Sequence, residues 1–240
     1  MHIHLPKPLH GWREFTGEVA VIGLGVLIAL AAEQVVEHFH AKAKGRDASE
    51  NVRAEIAGNL GSLESRKAIE PCINRRIEEL QAYIDEVTSG GHPPRPTWVG
   101  RPQVWTIGSA RWDAATNTGG TSLLSTDDQE DLSAIYESLN EVLVNERDEQ
   151  RAWAQLRAVT HLTRIDGPQA AVLIEALQTA RLTDWRIVVA MGQTNQTAER
   201  LGIRPSRNPF VGSTSVCLSM DTPYAEGVRK SGMSDVGEPQ

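Results

Sequence analysis

Hydrophobic and polar positions divide this chain into one segment that is apolar on every side and a longer one in which apolar residues recur at helical spacing. From Val19 to Ala32 the sequence reads Val-Ala-Val-Ile-Gly-Leu-Gly-Val-Leu-Ile-Ala-Leu-Ala-Ala, bounded by Glu18 and Glu33, with no charged or hydrogen-bonding side chain. Phe15 before it and Val35, Val36 and Phe39 after it extend the apolar helix to about the 20 residues that a bilayer core requires. The pattern predicts one retained membrane anchor. Ala29-Leu30-Ala31 before Ala32 has the small-x-small form of a signal-peptidase site. Against cleavage stand the acids Glu14 and Glu18 in what would be a basic n-region, and the helical pattern that continues through Glu33, Gln34 and Glu37. Within the anchor, Gly25, Ala29 and Ala32 fall on one line with Glu18, Ile22 and Val36, a small-residue face suited to packing against another helix.

Beyond the anchor the period is that of amphipathic helices. Val52, Ile56, Leu60 and Leu63 form one apolar stripe, and Ile73, Ile77, Leu80, Ile84 and Val87 form a second. Pro71 between them predicts a helix boundary, because proline is tolerated in a first turn and disrupts an interior. Gly90-Gly91 ends the second helix, and a connector from His92 to Pro102 is too proline-rich to be helical. A short helix over Ser109 to Thr116, closed by Gly119-Gly120, leads to Ser125-Thr126-Asp127-Asp128-Gln129, an N-cap followed by first-turn acids. The long helix so started carries Leu132, Ile135, Leu139, Val142, Trp153, Leu156 and Val159 and is expected to stop near Gly167-Pro168. A last helix from about Pro168 to Leu201, ended by Gly202, is expected to turn Leu173, Leu177, Ala180, Trp185 and Val188 inward. Phe210 to Met220 is the one extended-looking stretch, and the chain from Asp221 onward reads as loosely ordered.

The expected fold is therefore all-α: a single N-terminal transmembrane helix, then an antiparallel helical bundle with an irregular C-terminal tail. Its divisions are a short juxtamembrane segment (1–16), the anchor (17–39), the bundle (40–203) and the tail (204–240). Ile77, Leu80, Leu139, Leu156 and Leu177 are its expected core, with Trp112 also buried.

Composition changes this picture in two places. The chain is 40% hydrophobic and 23% charged with a net charge of -7, and no basic patch carries interleaved aromatics, which argues against a nucleic-acid partner. Lys7 and Arg13 precede the anchor and Lys42, Lys44 and Arg46 follow it, so the positive-inside count leaves orientation open. The two cysteines, Cys72 and Cys217, lie beyond the anchor. As two reduced core residues they would say nothing of compartment. As a disulfide they would staple the polar tail to the second helix and place the domain outside the inner membrane, on the periplasmic side. The tail has little apolar surface with which to dock itself, so the disulfide is the expectation.

The sequence resembles a group of bacterial single-pass membrane proteins of uncharacterised function. The marks are Gly17-Glu18 opening the anchor, the Gly-Val-Leu-Ile-Ala-Leu run from Gly25 to Leu30, and a downstream Trp-x-x-Ala-x-x-x-Gly element formed by Trp112, Ala115 and Gly119, leading to Leu123-Leu124. The resemblance implies a membrane-anchored helical domain and brings no catalytic residue or ligand. Cys72 and Cys217 are not part of its broad pattern.

Candidate chemistry is sparse. There is no nucleophile elbow, no phosphate-binding glycine loop and no His-Glu-x-x-His helix, and no cofactor motif of any kind. Of the seven histidines, His2 and His4 precede the anchor and His38 and His40 close it, without a cysteine or carboxylate to complete a metal site; His161 reads as a polar helix-end residue. Trp98, Trp105 and Trp112 recur every seven residues around the connector, with Arg111 close by, and could line a ligand pocket or pin the loop to the helices. Arg75-Arg76, Arg147, Arg151 and Arg186 have Glu78, Glu79, Glu146, Glu149 and Asp184 nearby and read as a solvated charged face. The expectation is a noncatalytic interaction or ligand-sensing module whose partners are the lipid bilayer and, through the anchor, itself or another membrane protein. A structural subunit of a membrane complex, or an enzyme with a site assembled from distant residues, are the alternatives. The segment before Gly17 has no room for an output domain, so a signal would pass to another protein.

Overall fold

In the computed structural model, residues 12–206 and 215–230 are described. The expected juxtamembrane segment through residue 11, with His2 and His4, residues 210–214 of the extended stretch, and tail residues 231–240 lie outside the described residues. The fold is all-α. Its helices are α1 (Trp12–Thr88), α2 (Ala110–Asn117), α3 (Thr126–Leu156), α4 (Gly167–Arg200) and α5 (Tyr224–Lys230), and no strand occurs among the described residues.

α1 is one helix of 77 residues, so the break expected at Pro71 does not occur. Pro71 is exposed, while Ile69 and Ile73 on either side are buried. The ring and the carbonyl freed at Lys67 thus face solvent, and packing on the inner side outweighs the roughly 3 kcal/mol that an interior proline costs. At about 1.5 Å per residue α1 is on the order of 115 Å long, and it leads two lives along that length. Every residue from Phe15 to His40 is exposed, whereas burial begins at Gly45, whose α-carbon lies so close to Leu123 that an added Cβ would stand 3.0 Å from the Leu123 Cβ.

The remainder of α1 packs with α3 and α4. α3 starts where its cap signal predicts, Ser125 Oγ accepting from Asp128 N at 3.1 Å. α4 opens on a capping box in which Asp166 and Gln169 bond reciprocally. α3 ends at Leu156, about ten residues short of the expected stop, because the chain tightens into a 3-10 turn over Arg157–Thr160, with Thr160 Oγ donating to the Arg157 carbonyl. α3 and α4 form an antiparallel pair. α1 runs parallel to α3, pairing Arg53 with Asp128, Glu55 with Tyr136 and Arg66 with Glu149, and antiparallel to α4. The proline-rich connector makes this possible by running back the length of the bundle, from Val99 beside Arg76, past Trp105 beside Glu146, to Gly108 beside Asn59.

The core has two apolar parts. One gathers Val52, Ile56, Leu60, Leu63, Leu132, Ile135, Leu139 and Met191, the other Ile73, Ile77, Leu80, Ile84, Trp153, Leu156, Leu173 and Leu177. The five residues expected in the core are all there. Three inward assignments need correction. Trp185 is 61% exposed and Val188 41%, because Asp184 and Ile187 take the inward face of α4 at that level. Trp112 is half-buried, its ring stacked on Tyr136 with centroids 4.9 Å apart.

The chain end is more ordered than its composition suggests. Ser215–Cys217 form a 3-10 turn in place of an extended strand, and α5 follows within the stretch expected to be loose. Cys72 and Cys217 are joined as a disulfide, with Cα atoms 4.9 Å apart, and Cys72 sits inside α1, not at a helix start. This C-terminal strap, Ser215–Met220, is further held by arginines that donate to its carbonyls, Arg75 to Cys217 O at 2.9 Å and Arg76 to Leu218 O, while Arg76 also donates to Val99 O of the connector. Close approach requires glycine at two positions here. A Cβ on Gly100, at φ +71, would lie 2.4 Å from Ser215 O, and one on Gly227 would lie 2.2 Å from the Trp98 ring.

Candidate functional site

Between the two apolar parts lies a layer of buried polar groups drawn from all three long helices: Arg66 from α1, Asn145, Glu146 and Glu149 from α3, and Thr183 and Asp184 from α4. Each stands on the same helical stripe as the apolar residues above and below it, so the bundle's own packing turns it inward. Arg66 is the hub. Its Nη2 donates to Glu149 Oε1 at 2.8 Å and to Asp184 Oδ1 at 2.5 Å, and its Nη1 donates to Glu70 Oε2 at 3.2 Å.

One guanidinium cannot neutralise three carboxylates. Burial alone would lower the Arg66 pKa, but Glu149, Asp184 and Glu70 together more than reverse that and keep it charged. The surplus negative charge is met by proton affinity. Burial pushes Glu149 up to about 8, with Asp184, Glu146 and Glu70 adding to the rise against the pull of Arg66. Burial, then the Asp184 carboxylate, pushes Glu70 up to about 7 against Arg66 and Asn74. Glu149 Oε2 is buried with no hydrogen-bond partner.

The layer reaches the surface through a groove of about 430 Å³ between α1 and α4, lined by Glu70, Asn74, Ile77, Glu78, Arg181, Asp184, Trp185 and Val188. Its lining is charged and aromatic, combining the carboxylates of Glu70, Glu78 and Asp184 with the exposed indole of Trp185.

The tryptophans singled out from the sequence do not converge on a pocket. Trp98 is buried under α5, its Nε1 donating to Ser215 O at 2.8 Å and its ring beside Tyr224. Trp105 is buried with its backbone N–H donating to Glu146 at 2.7 Å, and Trp112 lies on Tyr136. They pin the connector to the helices. Arg111 is exposed, donating to Asn51 O at 3.3 Å, and lines a separate groove of about 280 Å³ with Lys44, Asp47, Ala48, Asn51, Ala114, Ala115, Thr118 and Gly120. Next to it Glu55 closes the N-terminus of α2, accepting from the backbone of Arg111 at 3.0 Å and Trp112 at 3.2 Å and from the Tyr136 hydroxyl at 2.7 Å. Gly25, Ala29 and Ala32 are exposed on the bare arm, and His161 is exposed.

The charged-face reading of the arginines needs correction at Arg76 and at three of the acids, Glu146 being buried against the Trp105 backbone. Arg76 is fully buried, and Glu149 and Asp184 serve Arg66 in the interior, not surface arginines. Arg66 and Glu70 escaped notice altogether. A signal was present: Arg66 falls three residues after Leu63 and seven before Ile73, on the stripe that otherwise reads as core.

Comparison with known protein families, with curated proteins and with solved structures finds no match to this chain.

Proposed function

We propose that this protein is a noncatalytic, membrane-anchored module of the bacterial single-pass kind that its sequence resembles. Its helical domain stands on the periplasmic side of the inner membrane and acts by interaction or ligand sensing. The observation that carries the reading is the junction within α1. A single helix long and apolar enough to cross a membrane, with a mean hydropathy of 2.3 and none of that window buried, continues without a break into the bundle core. An apolar surface on every side, with no protein against it, is suited to lipid and is unfavourable in water. The continuous backbone ties the membrane position of the arm to the bundle. The Cys72–Cys217 bridge supports an oxidising compartment.

The test is fractionation with topology mapping. The protein is expected to stay in the membrane through high-salt and alkaline washing, and a reporter fused after Gln240 is expected to be active outside the cytoplasm. A soluble mature form beginning near Ala32 overturns the anchor, and cytoplasmic reporter activity overturns the orientation.

A second reading, a structural subunit of a membrane complex, is favoured by the apolar residues Leu182, Trp185 and Val189, exposed on one side of α4. Co-purification of a stoichiometric partner from gently solubilised membranes, lost on Leu182→Ser, would favour it over ligand sensing.

A further inference from the structure

We propose that the groove between α1 and α4 takes a small organic cation, an ammonium or guanidinium group carried on an apolar body. This rests on the ligand-sensing reading above and names its ligand class. Two features of the site converge on that chemistry. The first is charge. Glu70, Glu149 and Asp184 share the single guanidinium of Arg66, Glu78 adds a carboxylate to the groove, and Arg181 is the one cationic side chain in its lining. Among these residues carboxylates outnumber cations four to two, and the fully buried Glu149 keeps one oxygen without a partner.

The second feature is the wall. Trp185 stands 61% exposed beside Val188 on α4 and lines the groove together with the Glu70 and Glu78 carboxylates of α1. A cation over an indole is held by the ring quadrupole while the carboxylates meet its charge. An anion would face the carboxylates, and a neutral apolar guest would desolvate Glu70 and Asp184 with nothing in return. A bare metal ion is disfavoured too, since among the described residues no three His, Cys, Asp or Glu are grouped to hold one.

Protons compete for the same place. The charged groups lining it are Glu70 and Glu78 from α1 and Arg181 and Asp184 from α4, with Arg66 from α1 and Glu146 and Glu149 from α3 in the buried layer behind them. With Glu70 held up at about 7 and Glu149 at about 8, the site near neutrality carries protons that an arriving cation displaces. Binding therefore releases protons and tightens as pH rises.

The experiment is calorimetric titration of the full chain, in nanodiscs of zwitterionic lipid, with benzylammonium, benzoate and benzyl alcohol at pH 6 and pH 8, in buffers of differing ionisation enthalpy. Saturable binding of benzylammonium alone is expected, with proton release and a gain of up to about tenfold in affinity per pH unit. Trp185→Ala and Glu70→Gln should each weaken it by roughly tenfold; the exposed Trp185 position keeps the fold out of the question. No saturable binding at pH 8, equal binding of benzyl alcohol, or indifference to Trp185→Ala overturns the proposal. Failure here with membrane retention and topology intact removes the ligand class and leaves the module reading standing; failure of retention removes that reading instead.

Discussion

The two halves of α1 share one backbone and differ in everything that surrounds it. From Phe15 to His40 every residue is exposed, and the run Val19–Ala32 within it carries no charged or hydrogen-bonding side chain, the acids standing only at its ends. From Gly45 to Thr88 one side is buried against α3, α4 and the connector while the other is charged. The contrast teaches that the solvent of a helix can be read from its angular distribution of polarity: apolar all round calls for lipid, apolar on one stripe calls for a bundle. It also shows where the rule strains. The buried stripe of the second half is interrupted by Arg66, a residue that belongs to neither solvent and is tolerated only because two other helices bring acids to it.

The largest break in this comparison should come from that interruption. Arg66→Ala leaves Glu149 and Asp184 buried without their counter-charge, and a loss of about 3–5 kcal/mol in chemical unfolding of the detergent-solubilised chain is expected. A loss below about 1 kcal/mol would show that the acids find other compensation. The apolar stripe comes next. Leu80→Ala, at a fully buried position, should cost on the order of 2–5 kcal/mol, whereas Leu27→Ala in the bare arm should leave bundle unfolding within about 0.5 kcal/mol of the parent. Equal effects at the two positions would erase the distinction between the halves.

The disulfide sharpens the same contrast from the far end of the chain, because it ties a polar strap to the packed half of α1. Thiol titration without reductant should find no free cysteine, and Cys72→Ser with Cys217→Ser should cost about 2–4 kcal/mol and expose the strap to proteolysis. The smallest effect is the slope of stability with pH. Glu70 and Glu149 hold protons more tightly in the folded bundle than in the unfolded chain, so between the ordinary carboxylate range and about 7 to 8 the folded state carries the extra protons. Their contribution is therefore present at low pH and is lost as pH rises through that window. Melting temperature should fall from pH 5 to pH 8 more steeply in the parent than in Glu149→Gln; identical slopes would remove the surplus-charge account of the buried layer.

Local pattern carried a long way into this structure. The anchor run, the cap at Ser125, the glycines that close the helices and the stripes through Leu80, Leu139 and Leu177 depend on neighbours within a turn or two, where the 3.6-residue period speaks directly. The cysteine pairing was legible from the even number of cysteines and the polarity of the tail as a whole, although Val216 beside Cys217 is itself fully buried in the core. Pro71 misled because its penalty is local while the packing of Ile69 and Ile73 that overrides it is not. Trp185 misled because a stripe drawn over a whole helix ignores what stands opposite at each level.

What the sequence determined by itself is the class of each segment: a helix long and apolar enough to cross a membrane, amphipathic helices for a bundle, a connector too rich in proline to be either. What only the tertiary structure decided is which charges meet. Arg66 reaches Glu149 and Asp184 across 83 and 118 positions, through a connector that returns along the bundle and sets α1 parallel to α3. The difference is physical: periodicity is a property of consecutive backbone geometry, whereas an ion pair in the interior exists only once loops have closed and chosen which faces turn toward each other.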